Sequence, residues 1–457
     1  MNDVAKKPCR VAGKKPVPDG QAVMRRAQLR YGFNEIDAWW HIALGEHRQS
    51  IRRHLRRMRT EVVRIFVFDK PVPDPIREWR NFAAYVQAIL AAGAVPMVTF
   101  AKFPPPYDER NLHIFCTRCT DIVWGCLEQW GAHAVRNWYW CIWNEPNNAL
   151  IGGGLTFDQY RRIYERVAGR IHSLLAPHIG EKKARIGGPA VDGFQPFWLD
   201  WIARLVGEVD DALVGFVTWH KYGDWRPVVS STTIRADLKG APEAPMGATY
   251  EALLMAQTPG YEACARAVAR VLAGRDIMNV CGEHNAIVHH DNHYVGGLNQ
   301  NAFGAAYYVS TLIHLLRGGA DLEMRWTATA NDDAYGLLTS SGEPTAACLG
   351  KELFAHHVRY GDHVWFPGPR PEFANVDALV AWSDNGRRKS GIFVHTAREQ
   401  QTLTVEHWDP DLRGCRTLWR LDTSTGRRLA RERFDGALRL EGYGVAVVTN
   451  SDDDLNW

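Results

Sequence analysis

The stretch Trp138–Asn147 most constrains the fold, because an apolar, aromatic run ends there abruptly in a polar cluster closed by proline. The run predicts a buried parallel strand. Pro146 cannot continue a strand ladder, so the strand is expected to end near Glu145. A carboxylate is therefore expected at the carboxyl end of a buried strand, with the amide of Asn144 beside it. In barrels of parallel strands, that end carries the chemistry.

A second apolar run, Ile277–Asn285, contains another glutamate near its end, Glu283. A single buried carboxylate paired with an arginine would be an ordinary structural feature. Two carboxylates on two strand ends are what cleavage of a glycosidic bond requires, because one must be protonated to help the leaving oxygen depart and the other must be ionised to attack or support the sugar carbon. Glu145 and Glu283 are therefore the candidate catalytic residues.

The two glutamates belong to a longer alternation of apolar runs and helical patterns. This alternation predicts an α/β fold, a (β/α)8 TIM barrel, with the glutamates on strands four and seven. The predicted strands are Ala27–Asn34, Val62–Phe68, Val95–Ala101, Trp138–Glu145, Arg185–Pro189, Leu213–His220, Ile277–Glu283 and Leu322–Thr327. The clearest predicted helices are Trp79–Ala92 with Gly93 at its C-terminal cap, Thr156–Ala176 with Thr156 as N-cap, Tyr261–Ala273 and Ala302–Leu316.

After about residue 355 the pattern changes to short apolar runs between turn signals, which predicts an additional antiparallel β-domain, a β-sandwich. The predicted organisation is an N-terminal tail or arm over residues 1–24, the catalytic barrel over 25–354 and the accessory β-domain over 355–457. The stretch from Gly223 to Pro259 is rich in proline and glycine and irregular. Loops of that length inside compact domains are usually functional or mobile.

Composition excludes several other classes of function. The net charge of +3 implies no field for nucleic acid, and no apolar stretch of about 18 residues predicts a membrane span. The nine cysteines are scattered and often lie inside apolar runs, which suits reduced thiols. With no apolar leader segment near Met1, a cytoplasmic location is expected, or a periplasmic or secreted one if a leader was removed. The expected partner is an oligosaccharide or polysaccharide, and a homo-oligomer is possible.

Three further motifs have ordinary structural interpretations. The segment His289–His293 is rich in ligand-type side chains, but adjacent histidines on one loop rarely converge on one ion. Cys116 and Cys119 have the spacing of half a zinc site without a second pair. The run Gly152–Gly154 lacks the lysine of a phosphate-binding loop and is expected to be a flexible edge of the cleft. No metal and no cofactor are therefore predicted.

The chain resembles the clan A glycoside hydrolases, and more narrowly family 39, which includes β-xylosidases, α-L-iduronidases and some bacterial exopolysaccharide hydrolases. The resemblance runs from about Val62 to Asp362. The specific motif is Trp-Asn-Glu-Pro-Asn, which ends at Asn147. The supporting landmarks, in chain order, are Arg64, Gly187-Gly188-Pro189, His220, Tyr222, Glu283, Asn285 and Gly336-Leu337-Leu338.

The resemblance implies a role for most of these residues. Glu145 would be the acid/base and Glu283 the nucleophile. Tyr222 would hydrogen-bond the nucleophile and Arg64 would keep it ionised, so that the negative charge of Glu283 raises the pKa of Glu145. Asn144 would hold the sugar 2-hydroxyl. The other residues predicted to contact substrate are His220, His284, Asn285 and Trp326, of which Trp326 would line the floor of the subsite.

Two residues depart from the xylosidases of that family. Phe66 stands where they have histidine, and His284 stands where they tend to have tryptophan. Both positions face the sugar in the family, so the identity of the sugar is not predicted. The reaction type is predicted, because neither change affects the two carboxylates. The expected activity is retaining hydrolysis of a β-linked glycan, either xylosidase-like and exo-acting or directed at an exopolysaccharide and endo-acting. The alternative from another class is a carbohydrate-binding barrel without turnover.

Overall fold

The computed structural model describes residues 22–451 apart from 36–38, 70–74, 181, 194–196, 225–249, 288–296, 330–334, 369–373, 405–411, 413 and 426–427. Most of the predicted irregular loop from Gly223 to Pro259 therefore lies outside the described residues, and so does the whole segment His289–His293. Among the helices that are described, none combines the length and apolar character needed to cross a membrane.

Eight parallel strands close into a barrel, as predicted. Glu145 follows the fourth barrel strand and Glu283 lies on the seventh. With strands numbered in chain order, the barrel consists of β2 (Arg30–Asn34), β3 (Thr60–Val67), β4 (Val95–Phe100), β5 (Tyr139–Ile142), β6 (Ile186–Asp192), β7 (Phe216–Asp224), β8 (Met278–Ile287) and β9 (Leu322–Trp326).

Helices follow the barrel strands and form the outer layer. They are α1 (Trp39–Ala43), α2 (Arg48–Arg57), α3 (Trp79–Ala91), α4 (Glu109–Val135), α5 (Phe157–Ile179), α6 (Trp198–Glu208), α7 (Tyr250–Met255), α8 (Pro259–Val271), α9 (Ala302–Gly318) and α10 (Ala346–His357), with a 3₁₀ turn at Asp211–Leu213. Thr156 caps α5 in a reciprocal capping box with Gln159, as its side chain predicted. Gly93 follows α3 at φ 90°, a conformation that glycine adopts without steric cost.

Two apolar layers hold the barrel together. Side chains that point inward fill its interior, and they are Val62, Met97, Tyr139, Cys141, Ala190, Phe216, Val280, Leu322 and Met324. Side chains that point outward pack under the helices in a larger continuous core. Since successive side chains of a strand alternate between its two faces, strands such as β4 and β5 contribute to both layers.

The C-terminal domain is antiparallel, as predicted. In the part of the chain that the structure describes, it has a seven-stranded sheet in the order β1-β10-β11-β12-β17-β14-β15 and a ribbon of β13 and β16. These strands are β1 (Val23–Arg26), β10 (His363–Phe366), β11 (Val376–Trp382), β12 (Lys389–His395), β13 (Gln401–Thr404), β14 (Thr417–Leu421), β15 (Ala430–Arg433), β16 (Ala437–Leu440) and β17 (Val445–Thr449).

The two faces of the seven-stranded sheet bury different neighbours. One face, with Val380 and Phe393, packs on Leu403 and Leu438 of the ribbon. The opposite face, with residues such as Leu379 of β11, joins the continuous core that also contains the barrel helices. The β-domain is therefore packed directly onto the barrel.

Several predicted boundaries need correction. Val23 and Met24 were placed in a tail, but β1 pairs in register with β10, from Val23 opposite Phe366 to Arg26 opposite His363. The first barrel strand accordingly begins at Arg30 rather than at Ala27. Strand β5 ends at Ile142, three residues before Glu145, and α7 lies in the stretch predicted to be irregular. Strands β10, β15 and β16 were not predicted, because they are short and β15 has largely exposed, charged side chains.

Candidate active site

The loop after β5 presents Glu145 to the top of the barrel. Trp143 and Glu145 both have left-handed backbone conformations, with φ of 76° and 47°. The backbone nitrogen of Glu145 donates to the carbonyl of Ala190 at 2.9 Å, which ties the loop to β6. Non-glycine residues in this region of φ are uncommon and are held there by their surroundings. The aromatic run therefore ends in a bent segment that turns the carboxyl group away from the strand direction.

Gly152 holds the far side of this loop. A Cβ atom at position 152 would lie 1.9 Å from the carbonyl oxygen of Glu145, so only glycine allows this approach. The indole nitrogen of Trp143 donates to the carbonyl of Gly152 at 2.8 Å. The expectation that the run Gly152–Gly154 is a flexible edge of the cleft is wrong for Gly152, which is buried against the backbone of Glu145.

Glu145, His220 and Glu283 meet at the mouth of the barrel. One carboxylate oxygen from each glutamate and a ring nitrogen of His220 lie within 4.8 Å of one another. Nδ1 of His220 is 2.7 Å from Oε1 of Glu145 and 3.6 Å from Oε1 of Glu283. All three side chains are buried. Two acidic groups far apart in the sequence are therefore brought to one point, one from the loop after β5 and the other from β8.

Two donors hold Glu283. Nη1 of Arg64 donates to its Oε1 at 2.8 Å, and the hydroxyl of Tyr222 donates to its Oε2 at 2.8 Å. A guanidinium and a phenol on the two oxygens favour the ionised form of this carboxyl group. Burial acts in the opposite direction and raises the pKa of Glu283, against the lowering effects of Arg64 and Tyr222. The prediction for Arg64 and Tyr222 included their contacts but omitted this effect of burial.

Arg64 connects Glu283 with the rest of the site. Its Nη2 donates to Oδ1 of Asn144 at 2.8 Å, and its Nε donates to Thr99 at 2.9 Å. The guanidinium carbon lies 4.4 Å from the centre of the Phe66 ring. Phe66 is itself buried, so it covers the guanidinium rather than offering a polar group to a ligand. With Oδ1 of Asn144 bonded to Arg64, the amide hydrogens of Asn144 remain for a ligand.

His220 is neutral in this site. Burial lowers its pKa to about 4, although the charge of Glu283 opposes that effect. Nε2 of His220 faces Nη1 of Arg64 at 3.4 Å, and because arginine can only donate, Nε2 must accept. The hydrogen is therefore on Nδ1, which donates to Oε1 of Glu145. His220 was predicted as a substrate contact, but the structure places it between the two glutamates.

Glu145 has the surroundings of an acid. Burial raises its pKa to about 8, the charge of Asp192 acts in the same direction, and Arg64 and a hydrogen bond from Asn148 oppose them. Both of its oxygens accept hydrogen bonds, Oε1 from His220 and Oε2 from Asn148. Sequence reasoning attributed the raised pKa to Glu283 alone and included neither burial nor Asp192.

Two of the predicted substrate contacts have other partners. His284 is fully buried, and its Nε2 lies 2.8 Å from Oε2 of Glu323, between the barrel and α9. It points away from the cleft because it follows the inward-facing Glu283 on the same strand. Asn285 is also buried and donates to the carbonyl of Trp326 at 2.6 Å. Trp326 is partly exposed and packs edge-on against Phe66, with ring centres 6.0 Å apart.

The residues that sequence reasoning missed are Asp192, Asn148 and Thr99. Asn148 directly follows the Trp-Asn-Glu-Pro-Asn motif, and Asp192 ends the strand that contains Gly187-Gly188-Pro189. A polar residue at the end of a buried barrel strand was the available signal for Asp192. Nothing in the sequence alone indicated that Asp192 and Glu145 would share a partner.

The cluster of Glu145, His220 and Glu283 does not fit a metal ion. Its three ligand-type atoms are close enough to surround one. However, the guanidinium of Arg64 already supplies the positive charge at Glu283, and the Nδ1 hydrogen of His220 occupies the shared space. Cys116 and Cys119 are free thiols buried along α4. The segment His289–His293 lies outside the described residues.

Comparisons with known proteins find partial similarity in sequence and a shared fold. No family model matches the chain. It is 30% identical over 152 residues to a β-xylosidase from Geobacillus stearothermophilus, covering 33% of this chain and 28% of that protein. It is 26% identical over 98 residues to a β-xylosidase from Caldicellulosiruptor saccharolyticus, covering 21% and 18%. The matched region thus spans less than a third of either relative.

Solved structures are similar over nearly the whole chain. A monomeric β-xylosidase from Caulobacter crescentus aligns with a TM-score of 0.61 at 14% identity, covering 96% of this chain and 97% of that one. A GH39 enzyme from Xanthomonas axonopodis gives 0.56 at 13% identity, with 96% and 95% covered. A family 51 α-L-arabinofuranosidase from Bifidobacterium longum gives 0.65 at 14% identity, with 95% and 99% covered. The fold is therefore that of these barrel enzymes, and the resemblance to family 39 is confirmed.

Proposed function

We propose that this protein is a retaining glycoside hydrolase that cleaves β-glycosidic bonds by double displacement, with Glu145 as acid/base and Glu283 as nucleophile. The observation that carries the proposal is the meeting of the two carboxyl groups, whose oxygens lie within 4.8 Å of each other and of a ring nitrogen of His220. Retaining enzymes place their carboxyl groups about 5 to 5.5 Å apart, whereas inverting enzymes leave room for a water molecule.

In the first step, Oε1 or Oε2 of Glu283 attacks the anomeric carbon while the bond to the leaving oxygen breaks. Glu145 gives its proton to that oxygen, so the first product leaves as a neutral alcohol. Arg64 and Tyr222 hold the attacking carboxylate in place through their hydrogen bonds at 2.8 Å. The product of this step is a covalent glycosyl ester on Glu283.

In the second step, the ester on Glu283 no longer carries negative charge. Glu145, now ionised, takes a proton from a water molecule, which attacks the anomeric carbon and releases Glu283 as a carboxylate. The N–H of His220 on Oε1 of Glu145 supports the ionised form during this step. Both glutamates return to their starting protonation states, and the sugar keeps its anomeric configuration.

The proposed substrates are β-linked glycans, with two narrower possibilities. Xylosides are favoured by the partial similarity to β-xylosidases, and an exopolysaccharide by the departure at Phe66 from the histidine expected in xylosidases. Asn144 would hold the 2-hydroxyl through its amide hydrogens, and Trp326 would form the floor. We therefore place aryl β-xylosides first in a panel that also contains aryl β-glucosides, α-L-arabinofuranosides, β-glucuronides and purified polysaccharides.

The test of this proposal is replacement of the nucleophile. Glu283→Ala should lower kcat by at least about a thousandfold on the best substrate of the panel, because no covalent intermediate can form. Added azide should then restore turnover by attacking the anomeric carbon directly, and it should give the glycosyl azide of inverted configuration. In Glu145→Ala, azide should give the azide of retained configuration, because Glu283 still forms the ester.

Two outcomes would overturn the assignment. An unchanged rate in Glu283→Ala would show that Glu283 is not the nucleophile. If proton NMR showed that the wild-type protein first releases the inverted anomer of the sugar, the covalent route would be excluded. A 2-fluoro glycoside that fails to attach to Glu283 while sugars still bind would favour a carbohydrate-binding barrel without turnover.

A further inference from the structure

Asn148 links the carboxyl group of Glu145 with a third carboxylate. Its amide nitrogen Nδ2 donates to Oε2 of Glu145 at 3.3 Å and to Oδ2 of Asp192 at 3.0 Å. The orientation of this amide is fixed, because its Oδ1 accepts from the backbone nitrogen of Leu150 at 3.0 Å. One amide group therefore bridges Glu145 and Asp192, and both of these carboxyl groups are buried.

The position of Asp192 is fixed by the residue before Asn148. The backbone nitrogen of Asp192 donates to Oδ1 of Asn147 at 3.0 Å, and Nδ2 of Asn147 donates to the carbonyl of Asp192 at 3.0 Å. These two hydrogen bonds join the loop after β5 to the end of β6, as the paired backbone hydrogen bonds of two neighbouring strands would. Asn147 thus holds the backbone of Asp192, and Asn148 couples its side chain to Glu145.

We propose that Asp192, coupled to Glu145 through the amide of Asn148, is a positioning residue that keeps the acid/base carboxyl group protonated and correctly oriented before the first step. The inference rests on the proposed function of Glu145. Its physical basis is the repulsion between two buried carboxylates, which disfavours ionisation of the second once the first is charged.

The hydrogen bonds of the other groups around Glu145 support this role for Asp192. His220 on β7 donates to Oε1 and is neutral, and Arg64 on β3 and Tyr222 on β7 donate to Glu283 on β8. The guanidinium of Arg64 therefore bonds to Glu283 and not to Glu145, although its charge still opposes the rise in the pKa of Glu145. Oε2 of Glu145 instead shares a hydrogen-bond donor, Asn148, with the negatively charged side chain of Asp192. Consistently, Asp192 is among the causes that raise the pKa of Glu145 to about 8.

The experiment is a comparison of pH profiles in Asp192→Asn and the wild-type protein. The substrate is an unactivated disaccharide from the panel, because its leaving group needs the proton from Glu145. Removing the charge should move the alkaline limb of kcat/KM to lower pH by about one unit. The acid limb, which reports Glu283, should stay in place. With a 4-nitrophenyl glycoside, whose leaving group needs little protonation, the loss at alkaline pH should be smaller.

Three further variants separate charge from shape. Asn148→Ala keeps Asp192 but removes a hydrogen bond that lowers the pKa of Glu145, so its alkaline limb should move to higher pH. Asp200→Asn removes the same charge from an exposed position on α6 and should leave the profile unchanged. Asp192→Glu, which restores the charge, should recover most of the wild-type profile.

A measurement without turnover keeps this inference distinct from the proposed function. The carboxyl carbon of Glu145 in protein labelled with carbon-13 glutamate, assigned through Glu145→Gln, should titrate near pH 8 in the wild type and at lower pH in Asp192→Asn. An unchanged midpoint, or coincident alkaline limbs in an active enzyme, would overturn the role of Asp192. Absence of activity on every substrate, with the midpoint still shifted, would instead count against the proposed function.

Discussion

At the scale of single residues, the place of Glu145 depends on a close approach of two backbone segments. Gly152 lies where a Cβ atom would be 1.9 Å from the carbonyl oxygen of Glu145. Both segments belong to one loop, which is closed by the bond between Trp143 and Gly152. A larger residue at position 152 must displace the backbone of Glu145, and the carboxyl group must then leave the position from which we propose that it donates a proton.

We therefore expect Gly152→Ala to lower kcat by about a hundredfold, since misplacing a catalytic group by about 1 Å has an effect of that order. The barrel should remain folded, with a loss of about 1 to 3 kcal/mol in the free energy of unfolding from overpacking. Gly169→Ala is the matched control. Gly169 lies inside α5, and a Cβ atom added there would have no neighbouring heavy atom within 4 Å, so this change should leave kcat unaltered. Equal kcat values in the two variants would contradict the role of Gly152.

At the scale of elements, β8 has different chemistry on its two faces. Glu283 points into the barrel mouth, whereas His284 points outward to Glu323, which also bonds to the ammonium group of Lys351. Glu323 and Lys351 are both buried. Lys351 of α10 thus neutralises a carboxylate on β9, the strand next to the one that carries Glu283.

Removing one partner of a buried ion pair leaves an uncompensated charge. Lys351→Met should therefore lower the free energy of unfolding by about 3 kcal/mol, measured by urea denaturation near neutral pH. Lys183→Met, which breaks a more exposed pair with Asp211, should change it by less than about 1 kcal/mol. A similar loss in both variants would show that Lys351 does not act through its buried charge.

Strand β8 shows how much could be predicted from the sequence. The apolar runs predicted the eight barrel strands, and the two glutamates at their ends predicted the meeting point of the site. The family resemblance then placed His284 at the sugar, although strict alternation along a strand already put it on the face opposite to Glu283. The link from Asp192 to Glu145 could not be predicted, because it depends on how the loop after β5 folds against β6.

At the scale of the whole molecule, a charged cluster joins the barrel to the β-domain. His314 of α9 has Nδ1 3.0 Å from Oε2 of Glu262 on α8 and Nε2 3.3 Å from Oδ1 of Asp377 on β11. Although burial lowers the pKa of His314, Asp377 and Glu262 raise it to about 9. The protonated imidazole therefore lies between carboxylates of the two domains.

This cluster predicts a dependence of stability on pH. Because the pKa of His314 is higher in the folded protein than its ordinary value of 6.5, its contribution is fully present below pH 6.5 and is lost as the pH rises through 9. The contribution is about 3 kcal/mol for such a shift. Between about pH 6 and pH 10, the free energy of unfolding should fall further in the wild type than in His314→Gln, and the difference between the two falls should be about 3 kcal/mol. Parallel curves for the two proteins would contradict this.

The pairing of β1 with β10 has a consequence for how this protein can be divided. The segment Val23–Arg26 precedes the barrel in the chain but supplies an edge strand of the seven-stranded sheet, opposite His363–Phe366. A fragment cut at the end of the barrel would lose six strands of that sheet and keep the seventh, β1, attached to the barrel. Recombination that treats the C-terminal region as an exchangeable module should therefore yield two incomplete pieces, each with a newly uncovered strand edge.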